Sequence, residues 1–178
     1  MKKSNLIIWG FLKKIIIGLC FIIFFYFFIG APMIISGSSM EPNFHDKNAA
    51  LINKFWYLFK KPSRGEVVVF RFPGTRTDLY VKRIIGLPGE TVEIKDNNVF
   101  IDNKLLAEPY INQDTQQIVY NKTILGDNEY FILGDNRGGS NDSRTWGVLE
   151  KKFIIGKLDL VFWPLSGKQA LVTPLYNL

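Results

Sequence analysis

From Ile15 to Ile35 the chain reads IIIGLCFIIFFYFFIGAPMII, without one charged residue. A helix needs about 20 apolar residues to cross the hydrocarbon core of a bilayer. This run therefore constrains the chain more than any other feature. Gly30, Ala31 and Pro32 are expected to end the helix or to bend the chain out of it. Lys2, Lys3, Lys13 and Lys14 precede the run, and fewer basic residues follow it closely. The positive-inside bias then assigns residues 1–14 to the cytoplasm, 15–35 to a single transmembrane helix and 36–178 to the far side. A cleaved leader fits less well, because the run exceeds the usual apolar core of about 7–15 residues and no Ala-x-Ala site follows. Leu6 to Leu12 is too short to span, and Trp9 within it is expected at the lipid interface.

What lies beyond the run is about one ordinary domain. The single cysteine, Cys20, lies in the run, so no intramolecular disulfide can form. The formal net charge of +6 raises the question of a nucleic-acid partner. No recognition motif accompanies the charge, and a basic face beside anionic lipid or a solvated surface accounts for it, so none is expected. Short β-branched and aromatic segments separated by Gly, Pro and Asn turns argue for an all-β domain. Glu66–Phe72, Leu79–Ile85, Glu129–Leu133 and Phe153–Trp163 read as strands, the last ended by Pro164. Thr91–Ile94 and Val99–Ile101 flank Lys95-Asp96-Asn97-Asn98 as a hairpin, and Asp102-Asn103-Lys104 is a second turn. Residues 108–128 are polar and weakly patterned, which suggests an exposed excursion. Phe55 to Lys61 (FWYLFKK) has two readings. It is either a segment dipping into the lipid interface, with snorkelling lysines, or a core strand. Residues 169–178 carry no functional signal.

Three stretches concentrate chemistry. Ser36-Gly37-Ser38-Ser39-Met40-Glu41-Pro42 offers small residues that let backbone amides approach a substrate. A serine nucleophile needs a base, and the only histidine, His45, is too little for a Ser-His-Asp triad. Lys82 is the second candidate, inside Tyr80-Val81-Lys82-Arg83-Ile84-Ile85-Gly86-Leu87-Pro88-Gly89. Tyr80, Lys82 and Ile84 share one face of a strand and Arg83 takes the other. An apolar wall would disfavour the charged ammonium, although a strand lysine more often snorkels to water. The third stretch runs from Gly134-Asp135-Asn136-Arg137 through Ser140-Asn141-Asp142-Ser143-Arg144 to Trp146-Gly147. Its acidic spacing does not match an EF-hand loop, so no metal is expected.

Together, Ser-Met-x-Pro, Lys-Arg-Ile-Ile-Gly-Leu-Pro-Gly and Gly-Asp-Asn-Arg with Ser-x-Asp-Ser-Arg-x-Trp-Gly resemble the bacterial type I signal peptidases, in this order and over most of the chain after Ser36. The resemblance implies packed antiparallel sheets like those of self-cleaving SOS repressors, and a membrane-bound endopeptidase without a cofactor. Its substrates would be preprotein signal peptides cut after Ala-x-Ala, with the secretion translocon as a further candidate partner. Many relatives carry a second spanning segment, so this chain looks like the compact single-anchor form. By the same resemblance Ser39 is the nucleophile and Lys82 the general base. Ser140 would orient the Lys82 amine, and Asp142 with Arg144 would form a structural ion pair. The Ser39 N–H would hold the oxyanion. Its second donor is open, because Gly37 stands where some relatives have a serine and Ser36 and Ser38 flank it. Asp135 and Arg137 are expected to stabilise their loop, and Trp146 and Gly147 to pack behind it. Met40, Tyr80 and Ile84 are candidate pocket walls. Two alternatives remain at this stage: a specialised Ser/Lys maturation protease for pilin or conjugation factors, and a non-catalytic membrane-anchored β-domain.

Overall fold

The structure, a computed structural model, describes residues 2–28, 30–75, 78–111 and 119–164, with the side chains of the first helix described from 8 to 24. Residues 169–178, which carried no functional reading, lie outside the described residues, as does 112–118 of the weakly patterned excursion.

The N-terminal helix α1 runs from Lys2 to Phe28. The apolar run is therefore not one helix to Ile35. Ala31–Ile34 forms strand β1, paired antiparallel with β2 (Ala49–Asn53), Ala31 opposite Ile52 and Ile34 opposite Ala49. Pro32, which has no backbone N–H, sits on this outer strand, where a missing donor is tolerated. Part of the apolar sequence thus serves the sheet rather than a membrane. Among the described residues no helix is long and apolar enough to cross a membrane.

The remaining elements are β3 (Val67–Arg71), β4 (Leu79–Gly86), β5 (Thr91–Lys95), β6 (Asn98–Ile101), β7 (Lys104–Leu105), β8 (Tyr120–Ile124), β9 (Glu129–Leu133), β10 (Leu149–Glu150) and β11 (Ile154–Trp163). Single helical turns form α2 (Trp56–Phe59) and α3 (Ser143–Trp146). Seven strands make one sheet in the order β1-β2-β11-β3-β4-β9-β10, and four make a second in the order β7-β6-β5-β8. Every described pairing is antiparallel. The expected fold class, antiparallel β, is what the chain adopts.

Burial explains the sequence patterns. Val67 and Val69 point into a cluster with Ile35, Met40, Phe44, Ala50, Val81 and Leu158. Val68 and Phe70 point the opposite way, to Ile84, Tyr130, Ile132 and Leu149. A strand covered on both faces needs no polar alternation, hence the unbroken Val-Val-Val-Phe. The imperfect alternation of β11 also has a cause: its register against β2 shifts between Leu158 and Leu160 and again between Val161 and Trp163. In the small sheet, Asp96, Asn97, Asp102 and Asn103 take positive φ at the two hairpin turns, the residue types that best tolerate it.

The two sheets meet through Ile85, Phe131 and Leu133 on one side and Val92, Ile94, Ile101 and Leu125 on the other. Gly86 lies at this junction. A Cβ there would stand 2.5 Å from Val92 Cγ2 and 2.7 Å from Leu125 Cδ1. Gly86→Ala is expected to lower the urea midpoint by the equivalent of about 1–3 kcal/mol with an unchanged m-value.

Candidate active site

Lys82 lies in the middle of β4, opposite Val68 of β3. β3 covers one edge of β4 and β9 covers the other only from Arg83 onward, so the second edge of Leu79–Lys82 faces no strand. β1 is the outermost strand at the other end of the same sheet. The two line a shared groove of about 740 Å³, Met33 to Met40 on one wall and Asp78 to Lys82 on the other.

Ser39 stands in the turn that follows β1, and its Oγ lies 2.7 Å from Lys82 Nζ. Lys82 is buried at 2% exposure and also donates to its neighbour's carbonyl, Val81 O, at 3.0 Å. The Tyr80 ring, 5.8 Å away, forms an aromatic wall on the same face. Burial pushes the Lys82 pKa down to about 8. Asp142 and Asp135 act against this and Arg144 acts with it. Burial outweighs the carboxylates, so about a tenth of the amine is neutral at pH 7 and about half at pH 8. A neutral amine has two protons and a lone pair. One proton holds Val81 O, and the lone pair is then free to accept from the Ser39 hydroxyl. This is the arrangement of an activated serine and its base.

His45, the competing base, is 56% exposed on its side chain and meets Glu41 at 3.5 Å. The recorded partner of Ser39 Oγ is Lys82.

Ser140 departs from expectation. It does not bond Lys82; its Oγ is buried with no hydrogen-bond partner among the described residues. The reason is steric placement. Ser140 packs against Gly134, where a Cβ would lie 2.2 Å from Ser140 Oγ and 2.5 Å from Ser39 O. The orienting contact of the amine is Val81 O, which sequence reading missed because any residue supplies a carbonyl.

Asp142 and Arg144 form a two-pronged pair, Arg144 Nε to Oδ1 at 2.7 Å and Nη2 to Oδ2 at 2.8 Å. Asp142 also accepts from Gly134 N at 2.9 Å, and Arg144 Nη2 donates to Ser140 O at 3.3 Å. The pair thus fastens both ends of the 134–140 loop while offsetting the charge that opposes a neutral Lys82. Trp146 packs behind it against Phe70 and Phe72.

The candidate pocket walls divide. Met40 and Tyr80 line the groove, Met40 also reaching the core. Ile84 does not: it is fully buried opposite Ile132, where β9 has covered the edge. Ser36, Gly37 and Ser38 all line the groove, and Gly37 N is taken by Asp46 Oδ1 at 2.8 Å.

Two buried ion pairs were not legible as such. Arg83 reaches Asp135 through Nε at 2.8 Å and Nη2 at 2.6 Å, with its guanidinium 4.1 Å over the Tyr110 ring. Asn43, near the nucleophile, bonds both Asp135 Oδ2 at 2.9 Å and Tyr110 O. Arg137 grips Glu108 with both terminal nitrogens. Glu108 and Tyr110 stand at the start of the expected exposed excursion, yet both are buried braces. Their only sequence signal was an acid and a tyrosine in a polar run. The Phe55–Lys61 segment is not a strand either; it is the turn α2, with Leu58 and Phe59 exposed. Among the described residues no cluster of His, Cys, Asp or Glu could hold a metal.

A buried amine beside a serine, at one wall of a groove, is the arrangement that a Ser/Lys hydrolase requires. The profile of the family described as "Signal peptidase, peptidase S26" matches residues 8–163. The chain is 37% identical over 175 residues to Signal peptidase I P of Bacillus subtilis subsp. natto, covering 93% of each. It is 34% identical to Signal peptidase I S of Bacillus subtilis strain 168, again covering 93% of each. With Signal peptidase IB of Staphylococcus aureus Mu50 the identity is 33%, over 92% of this chain and 93% of the relative. A solved signal peptidase I from Enterococcus faecalis V583 shares 32% identity, covering 56% of this chain and 97% of that one, with a TM-score of 0.49. The chain belongs to the signal peptidase family, peptidase S26, and is an enzyme of that family.

The Arg83–Asp135 pair ties the base strand to the third motif. Removing one partner leaves a buried charge, so Asp135→Ala is expected to destabilise the domain by about 3–5 kcal/mol. Denaturant unfolding of the variant checks this.

Proposed function

We propose that the protein removes N-terminal signal peptides from exported preproteins by a Ser39 nucleophile and a Lys82 general base, cutting after small residues in an Ala-x-Ala pattern. The observation that carries this reading is the 2.7 Å contact between Ser39 Oγ and the buried Lys82 amine. Neutral Lys82 takes the serine proton as Oγ attacks the scissile carbonyl, and the oxyanion accepts from the Ser39 N–H. The resulting ammonium then protonates the departing amine. An acyl-enzyme remains, and the regenerated neutral amine activates the water that hydrolyses it.

An extended peptide fits the groove because each wall offers a free strand edge. Main-chain hydrogen bonds give such a peptide affinity, and alternate side-chain sites give it selectivity. Val81 and Met40 line the wall beside Ser39, and their bulk would favour small residues before the cut.

A membrane is the proposed setting. α1 presents exposed apolar side chains all along its described length, Ile17, Phe21 and Ile22 among them, and its lysine-rich start belongs on the cytoplasmic side. The catalytic domain would then lie on the extracytoplasmic face. The turn α2 supports the same placement. Its neighbourhood is fixed by Glu66, which accepts from Tyr57 OH at 2.8 Å and pairs with Lys157 at 3.1 Å. Leu58 and Phe59 stay exposed beside Lys60 and Lys61. Ala31, the first residue of β1 after the helix, sits opposite Ile52, four residues before Trp56. Helix exit and aromatic turn thus share one end of the β1–β2 ladder, where both would meet lipid.

Cleavage of a precursor with an Ala-x-Ala site by the full chain in detergent tests the reading. Ser39→Ala and Lys82→Ala should each fall to background. A Lys82→Ala variant that cuts as well as wild type would sink the base assignment. Since only the neutral amine accepts a proton, kcat/KM should climb about tenfold per pH unit below about 8 and level off above it. The paired substitution Leu58→Glu with Phe59→Glu should slow processing in anionic vesicles several-fold and leave soluble-peptide cleavage in detergent unchanged.

A further inference from the structure

Asn136 makes a double contact with the nucleophile turn that the mechanism above does not use. Its backbone N–H donates to Ser39 O at 3.1 Å, and its side-chain Nδ2 donates to Ser38 O at 3.1 Å. The amide is oriented by a third bond, Gly139 N to Asn136 Oδ1 at 3.1 Å. A carbonyl can only accept and a backbone N–H can only donate, so these two bonds fix which end of the amide faces Ser38.

A trans peptide unit is planar, with its C=O and N–H pointing in opposite directions. The unit that carries the Ser38 carbonyl also carries the Ser39 N–H. Ser38 O is held by two donors, Asn136 Nδ2 and Glu41 N at 3.1 Å. Pulling that oxygen toward the 134–140 loop turns the Ser39 N–H the other way. Among the described residues this N–H has no acceptor, and Ser39 lines the groove.

We propose that Asn136 is a positioning residue for the oxyanion hole: by holding the Ser38 carbonyl it aims the Ser39 N–H at the oxygen of the tetrahedral intermediate. Asn136 touches no reacting atom, and its effect passes through one peptide plane. A donor aimed in advance stabilises charge that develops only in the transition state. Loss of the aim therefore lowers turnover without weakening substrate binding. The inference rests on the reading of Ser39 as nucleophile.

The test uses the full chain in detergent, with a peptide spanning an Ala-x-Ala site as substrate. A peptide boronic acid with the same residues before the cut serves as the tetrahedral mimic. Asn136→Asp keeps the size and the Gly139 contact but replaces the donor with an oxygen that repels Ser38 O; Asn136→Ala removes the amide. Both should lose on the order of 10- to 100-fold in kcat, less than the ~10²–10³-fold cost of deleting an oxyanion donor. KM should stay within about twofold, boronate affinity should fall by the same factor as kcat, read on the high-pH plateau, and in the uncharged Asn136→Ala the rising pH limb of Lys82 should not move. Wild-type kcat in both variants overturns the proposal, as does a loss of kcat matched by an equal rise in KM or, in Asn136→Ala, by a shifted pH limb. If Asn136→Ala melts early, Asn136→Asp decides alone, because its contacts with the loop are otherwise kept. A wild-type chain that cleaves nothing overturns the nucleophile reading itself, and this inference with it. A wild type that cleaves beside unaffected variants overturns only the role of Asn136.

Discussion

The site depends on taking one lysine amine out of water. An ammonium at Lys82 could not accept a proton from Ser39, and its ordinary pKa of about 10.4 leaves almost none of the free amine near neutrality. Two carboxylates in the neighbourhood, Asp142 and Asp135, pull in the wrong direction. The fold answers by satisfying each of them elsewhere: Asp142 by Arg144 and the Gly134 N–H, Asp135 by Arg83 and Asn43. Each acid is needed to build the loop around the amine, and each is supplied with its own cation so that it does not hold the amine charged. Burial then decides the balance.

The same pairs do the assembling. The Ser39 turn, the Lys82 strand and the 134–140 loop come from three distant parts of the chain, and none rests on a long helix or a rigid disulfide. Asn43 bridges the turn after Ser39 to Asp135, Arg83 bridges the Lys82 strand to the same carboxylate, and Glu108 holds Arg137. Buried charges of this kind tolerate little displacement, since a shifted partner leaves a desolvated ion behind. Geometry is thereby held tightly by groups that never meet substrate.

Much of this was legible in the sequence. Strand placement followed from β-branched runs and turn residues, and the two hairpins were marked by Asp-Asn pairs that accept positive φ. Lys82 and Arg83 were correctly assigned to opposite faces by alternation alone. The Asp142–Arg144 pair, two residues apart, was inferred from family resemblance. Contacts between distant residues were hidden, as in Arg137 with Glu108, because nothing in a polar segment reveals which of its acids will be buried. Side-chain bonding to a backbone carbonyl was hidden for a different reason: Lys82 to Val81 O leaves no trace in residue identity. The apolar run misled at its end because hydropathy does not distinguish a lipid-facing helix from an edge strand, and Ala31–Ile34 proved to be the latter.

The outer edge of β1 and the uncovered Leu79–Lys82 edge of β4 both border the groove beside Ser39. On the proposed reading, a peptide laid along the groove would pair with both edges, and its ladder would grow with every residue that does so. Scission at Ser39, as proposed, would cut that temporary strand in two. Each fragment keeps only its own share of the hydrogen bonds, so the act of cutting also loosens the grip. Release would then follow from the chemistry itself, because the reaction dissolves the cooperativity that held its substrate.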